Sequence, residues 1–460
     1  MRIIRDVAGV DFVVDFDVIL DREMHAKSHK SFRGHDLDVS ESWDISMPDL
    51  ISSSGSANPH WKARPVDTHP WLTFHINAQS LLPETWVRLG EASSKIDHIS
   101  GVPLRPTTAD ELMQVYLTKG IHGTTAIEGN TLSETDVRRR LEGDLDLPPS
   151  QEYLGREVDN IVNAYNWIIE QIEKGAHLHI TPEDLRRFNK MILEDLDVDE
   201  DVVPGEYRTH VVGVNDYRSP PPDRTDELMV RLCAWLNSTE WDRYVGARFA
   251  VPIIRAIAAH LYIAWVHPFG DGNGRTARLV EFDILTRAGV PPISAHLLSD
   301  HYNQTRAAYY SALSRARNDP SHFIRYAVAG LVDGLRDQLK TVREQQMSVA
   351  WINYVHMRFD ELPPGTPSDR QRRIAIALSL HERPVPSRLI PSLDTKISDL
   401  YAHKTSKTVT RDLNRLQDLA LIKPTKGGWV ANLSAVRAFL PLVNPTALDP
   451  SEPAQKELPV

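Results

Sequence analysis

A polar loop with three glycines in five residues, Gly270-Asp271-Gly272-Asn273-Gly274, divides two apolar helical runs, so the fold must bury both runs and hold the loop between them. Before the loop, residues 248–266 carry Ile253, Ile254, Ile257, Leu261 and Trp265 at helical spacing; after it, Leu279, Phe282, Ile284 and Leu285 resume that spacing. Glycines admit backbone dihedrals closed to other residues, so successive amides can turn inward as an anion cradle at the start of the second helix. Arg275 and Arg278 share a face of that helix, and their forked guanidiniums suit phosphate oxygens. Asp271 offers the hard oxygen that Mg²⁺ takes alongside phosphates. His267 is the loop's only side chain with an ordinary pKa near neutrality, as a general base requires. Two plainer readings compete: His267 as a helix-end cap beside a simple turn, or His267 and Asp271 as transition-metal ligands, for which no third ligand lies nearby.

The segment His267-Pro268-Phe269-Gly270-Asp271-Gly272-Asn273-Gly274-Arg275-Thr276-Ala277-Arg278 resembles the Fic family motif at every specified position. That resemblance implies a mainly α fold with a Fic-type helical core and a small β-hairpin flap. It also implies transfer of AMP from ATP, with Mg²⁺, to a hydroxyl side chain (Ser, Thr or Tyr) of a target protein or of the chain itself. His267 would deprotonate the hydroxyl and Asp271 would hold Mg²⁺. Asn273 and neighbouring amides, including those of Gly270, Gly272 and Gly274, would bind the α- and β-phosphates. Arg275 would meet the β-phosphate, Arg278 the γ-phosphate, and Phe269 would anchor the loop in the core. Thr124-x-x-x-Glu128-Gly129 is similar to the family's inhibitory motif, whose glutamate pairs with the last motif arginine, here Arg278. Read locally, Gly129 closes a short helical turn, and Glu128 at its carboxyl end opposes the helix dipole unless a cation answers it. The resemblance also places Tyr309 and Tyr310 near the adenine, against a core role for both, and makes Val211, Val212, Gly213, Val214 and Asn215 a flap that pairs with the target backbone.

The composition sets the compartment and the partners. A chain of 460 residues, 41% hydrophobic, exceeds one ordinary core, and its net charge of −10 argues against wholesale coating of nucleic acid or anionic membrane. The single cysteine, Cys233, excludes an internal disulfide framework and reads as a small core residue in a reducing compartment. No secretory signal precedes Asp11, Asp15 and Asp17, and residues 250–266 are too short and contain Arg255 and His260, so the expectation is a cytoplasmic protein without a membrane span.

In chain order, residues 1–80 form an accessory region and 81–145 carry the inhibitory segment, with separate helices expected over 84–95 and 108–119 and a turn over 123–130. The run Arg138-Arg139-Arg140 reads as a solvated face. Residues 146–360 hold the Fic catalytic domain, with a hairpin in 204–214 and a long amphipathic helix from Phe323 that can serve as a bridge or homodimer surface. After a proline-rich linker, residues 368–442 read as a winged helix: helices over 374–380, 393–402 and 408–420, then a hairpin. Lys407, Arg411, Asn414 and Arg415 can face a DNA groove, while Asp412 and Asp418 dilute that face. Residues 443–460 read as a disordered tail. The alternatives to AMP transfer are a nucleotide-sensing winged-helix regulator, or removal of AMP at the same site.

Overall fold

The computed structural model describes residues 66–77, 80–104, 106–175, 179–214, 217–243, 248–362, 366–381 and 383–436. The expectations for residues 1–65, Asn215 and 443–460 lie outside that set. The chain divides into two compact units, residues 1–336 and 337–460.

At the centre of the first unit are the two helices that flank the glycine loop, α7 (Ala250–Val266) and α8 (Asn273–Arg287), packed against each other. Ile253, Ile254, Ile257, Leu261, Leu279, Ile284 and Leu285 are all buried, as their spacing predicts. Burial of each such side chain contributes roughly 1.5–3 kcal/mol relative to exposure. Around this pair lie α1 (Pro83–Ser100), α2 (Pro106–Ile127), α3 (Glu134–Glu142), α4 (Glu152–Glu173), α5 (Pro182–Ile192) and α6 (Thr225–Leu236). The short helices α9 (Pro292–Ala295), α10 (Leu297–Gln304) and α11 (Arg306–Arg315) complete the shell, and α12 (Ser321–Asp360) runs from the first unit into the second. Both α3 and α5 open on a capping box. Ser133 Oγ accepts from Asp136 N–H and Thr181 Oγ1 from Asp184 N–H, each answered by the aspartate carboxylate.

The segment expected as a helix plus a separate turn is one continuous helix, α2. Gly120 and Gly123 do not break it; they let it lie close to its neighbours, because a Cβ would come within 2.6 Å of His296 at Gly120 and 2.7 Å of the Ser299 carbonyl at Gly123. The end of α2 is a left-handed cap. Gly129 has φ +105, and the amides of Gly129 and Asn130 return to the carbonyls of Ala126 and Thr125. Arg140 also departs from the expected solvated face: it bonds Glu152 (3.0 Å) and Asp159 (2.7 Å) and ties α3 to α4. The hairpin lies later than 204–214, as β1 (Gly213–Val214) paired antiparallel with β2 (Tyr217–Arg218). Tyr207, from the earlier stretch, instead bridges to Phe269 of the glycine loop.

The second unit contains the end of α12, α13 (Thr366–Leu378), α14 (Thr395–Tyr401), α15 (Ser406–Asp418) and the hairpin β3 (Ile422–Thr425) with β4 (Gly428–Ala431). Val385 pairs with Trp429 through both backbone bonds (2.9 and 2.8 Å), an isolated bridge beside the hairpin. Trp351, Ile374, Leu378, Ile397, Leu413 and Leu416 share its core. Asp412, expected on the exposed face of the third helix, is buried and accepts from Arg370, Gln371 and Tyr401.

Candidate active site

The path from α7 into the loop turns at His267, which has left-handed dihedrals (φ 49, ψ 60). Its Nδ1 lies 3.3 Å from the Ala264 carbonyl oxygen. A carbonyl only accepts, so Nδ1 carries the proton and Nε2 keeps its lone pair. Burial pushes the His267 pKa below its ordinary value, with the nearby Arg208 cation adding to the effect and Glu128 and Asp271 opposing it. At neutral pH the imidazole is therefore an unprotonated base.

Three side chains hold the loop in shape. Asn273 clasps Phe269, accepting its N–H (2.9 Å) and donating to its carbonyl (2.8 Å), so the carboxamide is spent on the loop and the residue offers a ligand its backbone. Asn189 donates to the Asp271 carbonyl (2.9 Å) and accepts from Gly205 N–H (2.9 Å). Arg208 donates to the carbonyls of His267 (2.7 Å), His210 (2.8 Å), Pro220 (2.8 Å) and Val266 (3.3 Å), which satisfies the open end of α7 and fixes the hairpin stem to it. With no carboxylate partner in that set, burial lowers the Arg208 pKa to about 10. Phe269 is buried, as expected, with its ring 5.4 Å from that of Tyr207. Gly272, at φ +75, is the left-handed residue that opens α8.

Beyond the loop, both motif arginines meet carboxylates. Arg275 bonds Glu157 (2.9 Å) and Asp271 (3.2 Å). Arg278, 1% exposed, donates through Nε to Thr124 Oγ1 (2.7 Å) and through Nη2 to the Thr124 carbonyl (3.0 Å) and Glu128 Oε1 (2.5 Å). Burial alone would raise the Glu128 carboxyl pKa, but the Arg278 charge and hydrogen bond, with Arg275 and His267, hold it below the ordinary value. The expected pairing of the helix-end carboxylate with Arg278 is thus present. Glu128 lies over Gly274, where a Cβ would collide with its carboxylate. Among the described residues, two buried donors here, Arg275 Nε and Arg278 Nη1, have no hydrogen-bond partner.

A cavity of about 390 Å³ opens beside these groups, lined by Glu128, His267, Gly274, Tyr309 and Tyr310, together with Tyr217, Trp265 and Arg317. Tyr309 is buried and Tyr310 half-exposed. Tyr309 bonds His260 Nε2 (2.9 Å), whose Nδ1 faces Glu281 Oε2 (3.3 Å). The structure thus brings His267, Gly274, Glu128, Tyr309 and Tyr310 to one cavity. Val211 and Val212 precede β1 outside its paired residues, and neither Val211, Val212 nor Gly213 lines that cavity.

Residues 179–285 match the Fic/DOC family. The chain carries a Fic domain. Glu128 and Tyr309 lie outside the matched residues, before and after the Fic domain. Protein adenylyltransferase fic-1 of Caenorhabditis briggsae is 32% identical over 207 residues, 45% of this chain and 38% of that protein. Protein adenylyltransferase Fic of Nematostella vectensis is 27% identical over 287 residues, 61% and 62% of the two chains. The chain therefore spans from about two-fifths to three-fifths of these relatives. Among solved structures, Fic-1 from Caenorhabditis elegans gives a TM-score of 0.47 at 27% identity, over 56% of this chain and 73% of that one. A Fic family protein from Desulfovibrio desulfuricans gives 0.46 at 20% identity, over 75% and 93%.

Several residues that shape the Fic domain's site escaped the sequence reading: Glu157, Asn189, Arg208, His260 and Glu281. Each acts through a partner distant in the chain, Arg208 on His267 across 59 residues and Glu157 on Arg275 across 118. No local pattern marks such pairs.

Proposed function

We propose that this chain transfers AMP from ATP to a hydroxyl side chain of a protein target, and that Glu128 holds it in an inhibited state. The observation that carries this reading is the convergence on one cavity of an unprotonated His267 and a Glu128 carboxylate seated on the arginine meant for phosphate. The residues suit a nucleotide: Arg275 Nε and Arg278 Nη1 are anion-binding donors without a hydrogen-bond partner among the described residues. Among the described residues no three His, Cys, Asp or Glu side chains cluster as a metal site. Asp271 is the residue that would hold a cation beside the phosphates. Mg²⁺ there would supply charge neutralisation on the phosphates.

The chemistry at the protein's side is then simple. His267 Nε2 accepts the hydroxyl proton as the hydroxyl oxygen bonds the α-phosphorus, and the bond to the β-phosphate oxygen breaks, releasing pyrophosphate. Arg275 and Arg278 hold the departing phosphates. The Arg218 carbonyl on the outer side of β2 accepts from His69 (2.8 Å), which leaves β1 as the edge along which a target backbone can pair. A nucleotide-sensing regulator needs no such base, so the fixed His267 tautomer favours the enzyme. The second unit contributes recognition and not chemistry.

Incubation of wild type, Glu128→Gly and His267→Ala with α-labelled ATP and Mg²⁺, followed by mass spectrometry of the products, tests the reading. AMP adducts strongest in Glu128→Gly and absent in His267→Ala are expected. Equal adducts in all three would remove His267 from the mechanism and overturn the assignment.

A further inference from the structure

The second unit is charged opposite to the chain that carries it. Residues 366–436 hold twelve Lys and Arg against six Asp and Glu, in a protein whose net charge is −10. One of those six acids, Asp412, is buried and neutralised by Arg370 at 2.7 Å. The basic residues are also concentrated in place. Lys396 on α14, Lys404 on the turn, Lys407, Arg411 and Arg415 on α15, and Lys423 on β3 are all exposed.

α15 divides cleanly by face. Val409, Asp412, Leu413 and Leu416 are buried in the unit's core, which sends Lys407, Arg411, Asn414 and Arg415 outward, and Asp418 in the last turn is the one exposed acid of the helix. Burial of Asp412 thus removes the acid that the sequence set in the middle of this face. Beside α15 the β3–β4 turn presents Lys426, and Val385 locks its base to Trp429. Gly428, at φ +138, has no room for a Cβ against the Val385 carbonyl, so the turn is held close to Val385.

We propose that this unit binds duplex DNA, with α15 in the major groove and the β3–β4 turn against the phosphate backbone. A major groove about 12 Å wide admits a helix, and a guanidinium and a carboxamide one turn apart, Arg411 and Asn414, match the donors and acceptors on base edges. Lys407, Arg415, Lys423 and Lys426 supply the phosphate contacts. The major groove of A-form RNA is too narrow and deep for this approach, which selects DNA between the two duplexes.

Fluorescence anisotropy of the full chain with a labelled DNA duplex, at roughly 50 and 200 mM salt, tests the proposal. Four phosphate contacts predict that affinity falls about 10²-fold between those two salts. The variant K407E/R411E should bind at least about tenfold more weakly and show a salt slope smaller by about one contact. Asp418→Asn should bind more tightly than wild type, an effect that misfolding cannot produce. Three results would overturn the proposal: no duplex binding by the folded chain at the lower salt, leaving the basic face to an acidic protein surface; equal binding by K407E/R411E; or equal affinity for an RNA duplex.

Discussion

Two buried arginines, Arg278 in the first unit and Arg370 in the second, each meet a carboxylate, and the difference between the pairs separates a switch from a staple. Arg370 is bidentate on Asp412 (2.7 and 3.0 Å), and Gln371 (2.8 Å) and Tyr401 (2.7 Å) occupy the remaining carboxylate positions. Burial would lift the Asp412 carboxyl pKa, and these hydrogen bonds more than reverse it. Arg278 reaches Glu128 through one nitrogen only, leaves Nη1 orphaned, and sits beside a cavity with Glu128 still 28% exposed. A fully satisfied pair has no reason to open. A monodentate pair with a spare donor can exchange its carboxylate for a phosphate.

The largest effect that tests this contrast is on stability. Asp412→Ala strands a buried guanidinium and should destabilise the second unit by about 3–5 kcal/mol, seen as a lowered melting transition. A loss under about 1 kcal/mol would show that pair to be dispensable. Glu128→Gly should act mainly on rate: the folded state loses no more than about 2–3 kcal/mol, the amount by which pairing favours the closed state, while the initial rate of AMP transfer rises about 30- to 150-fold. Adding Arg278→Ala to Glu128→Gly should cancel that gain, because the phosphate clamp goes with the lock; a double variant as fast as Glu128→Gly would show that Arg278 is not the target of the inhibition. The smallest effect concerns pH. The His267 pKa is depressed, so the base is unprotonated above its folded value. Transfer by Glu128→Gly should rise with pH only below about 6.5 and change less than about twofold between pH 7 and 8. A continuing tenfold rise over the latter interval would assign the proton to another group.

How much of this was legible in the chain depended on how far apart the partners lie. The glycine loop and its two apolar helices are local patterns, and each appears where the spacing placed it. The pairing of Glu128 with Arg278 came from resemblance alone, since 150 residues separate them. Gly120 and Gly123 misled because glycine in a helical run reads equally as a breaker or as a site of close approach, and only the neighbours His296 and Ser299 decide which. Asp412 misled for a similar reason. Its charge suggested exposure, but it stands next to Leu413 on the buried side of α15, where Arg370 compensates it.

The left-handed turn at His267 has a further consequence. A non-glycine residue in that conformation carries roughly 1–2 kcal/mol of backbone strain, so the protein stores unfavourable energy at the residue proposed to do its chemistry. His267→Ala and His267→Gly both delete the imidazole, yet only glycine relaxes the backbone. The glycine variant should therefore melt higher than the alanine variant, by about 0.4–1 kcal/mol or more. A chain selected for durability alone would discard the histidine, and its retention at this angle marks a place where aiming a nitrogen outweighs the comfort of the backbone.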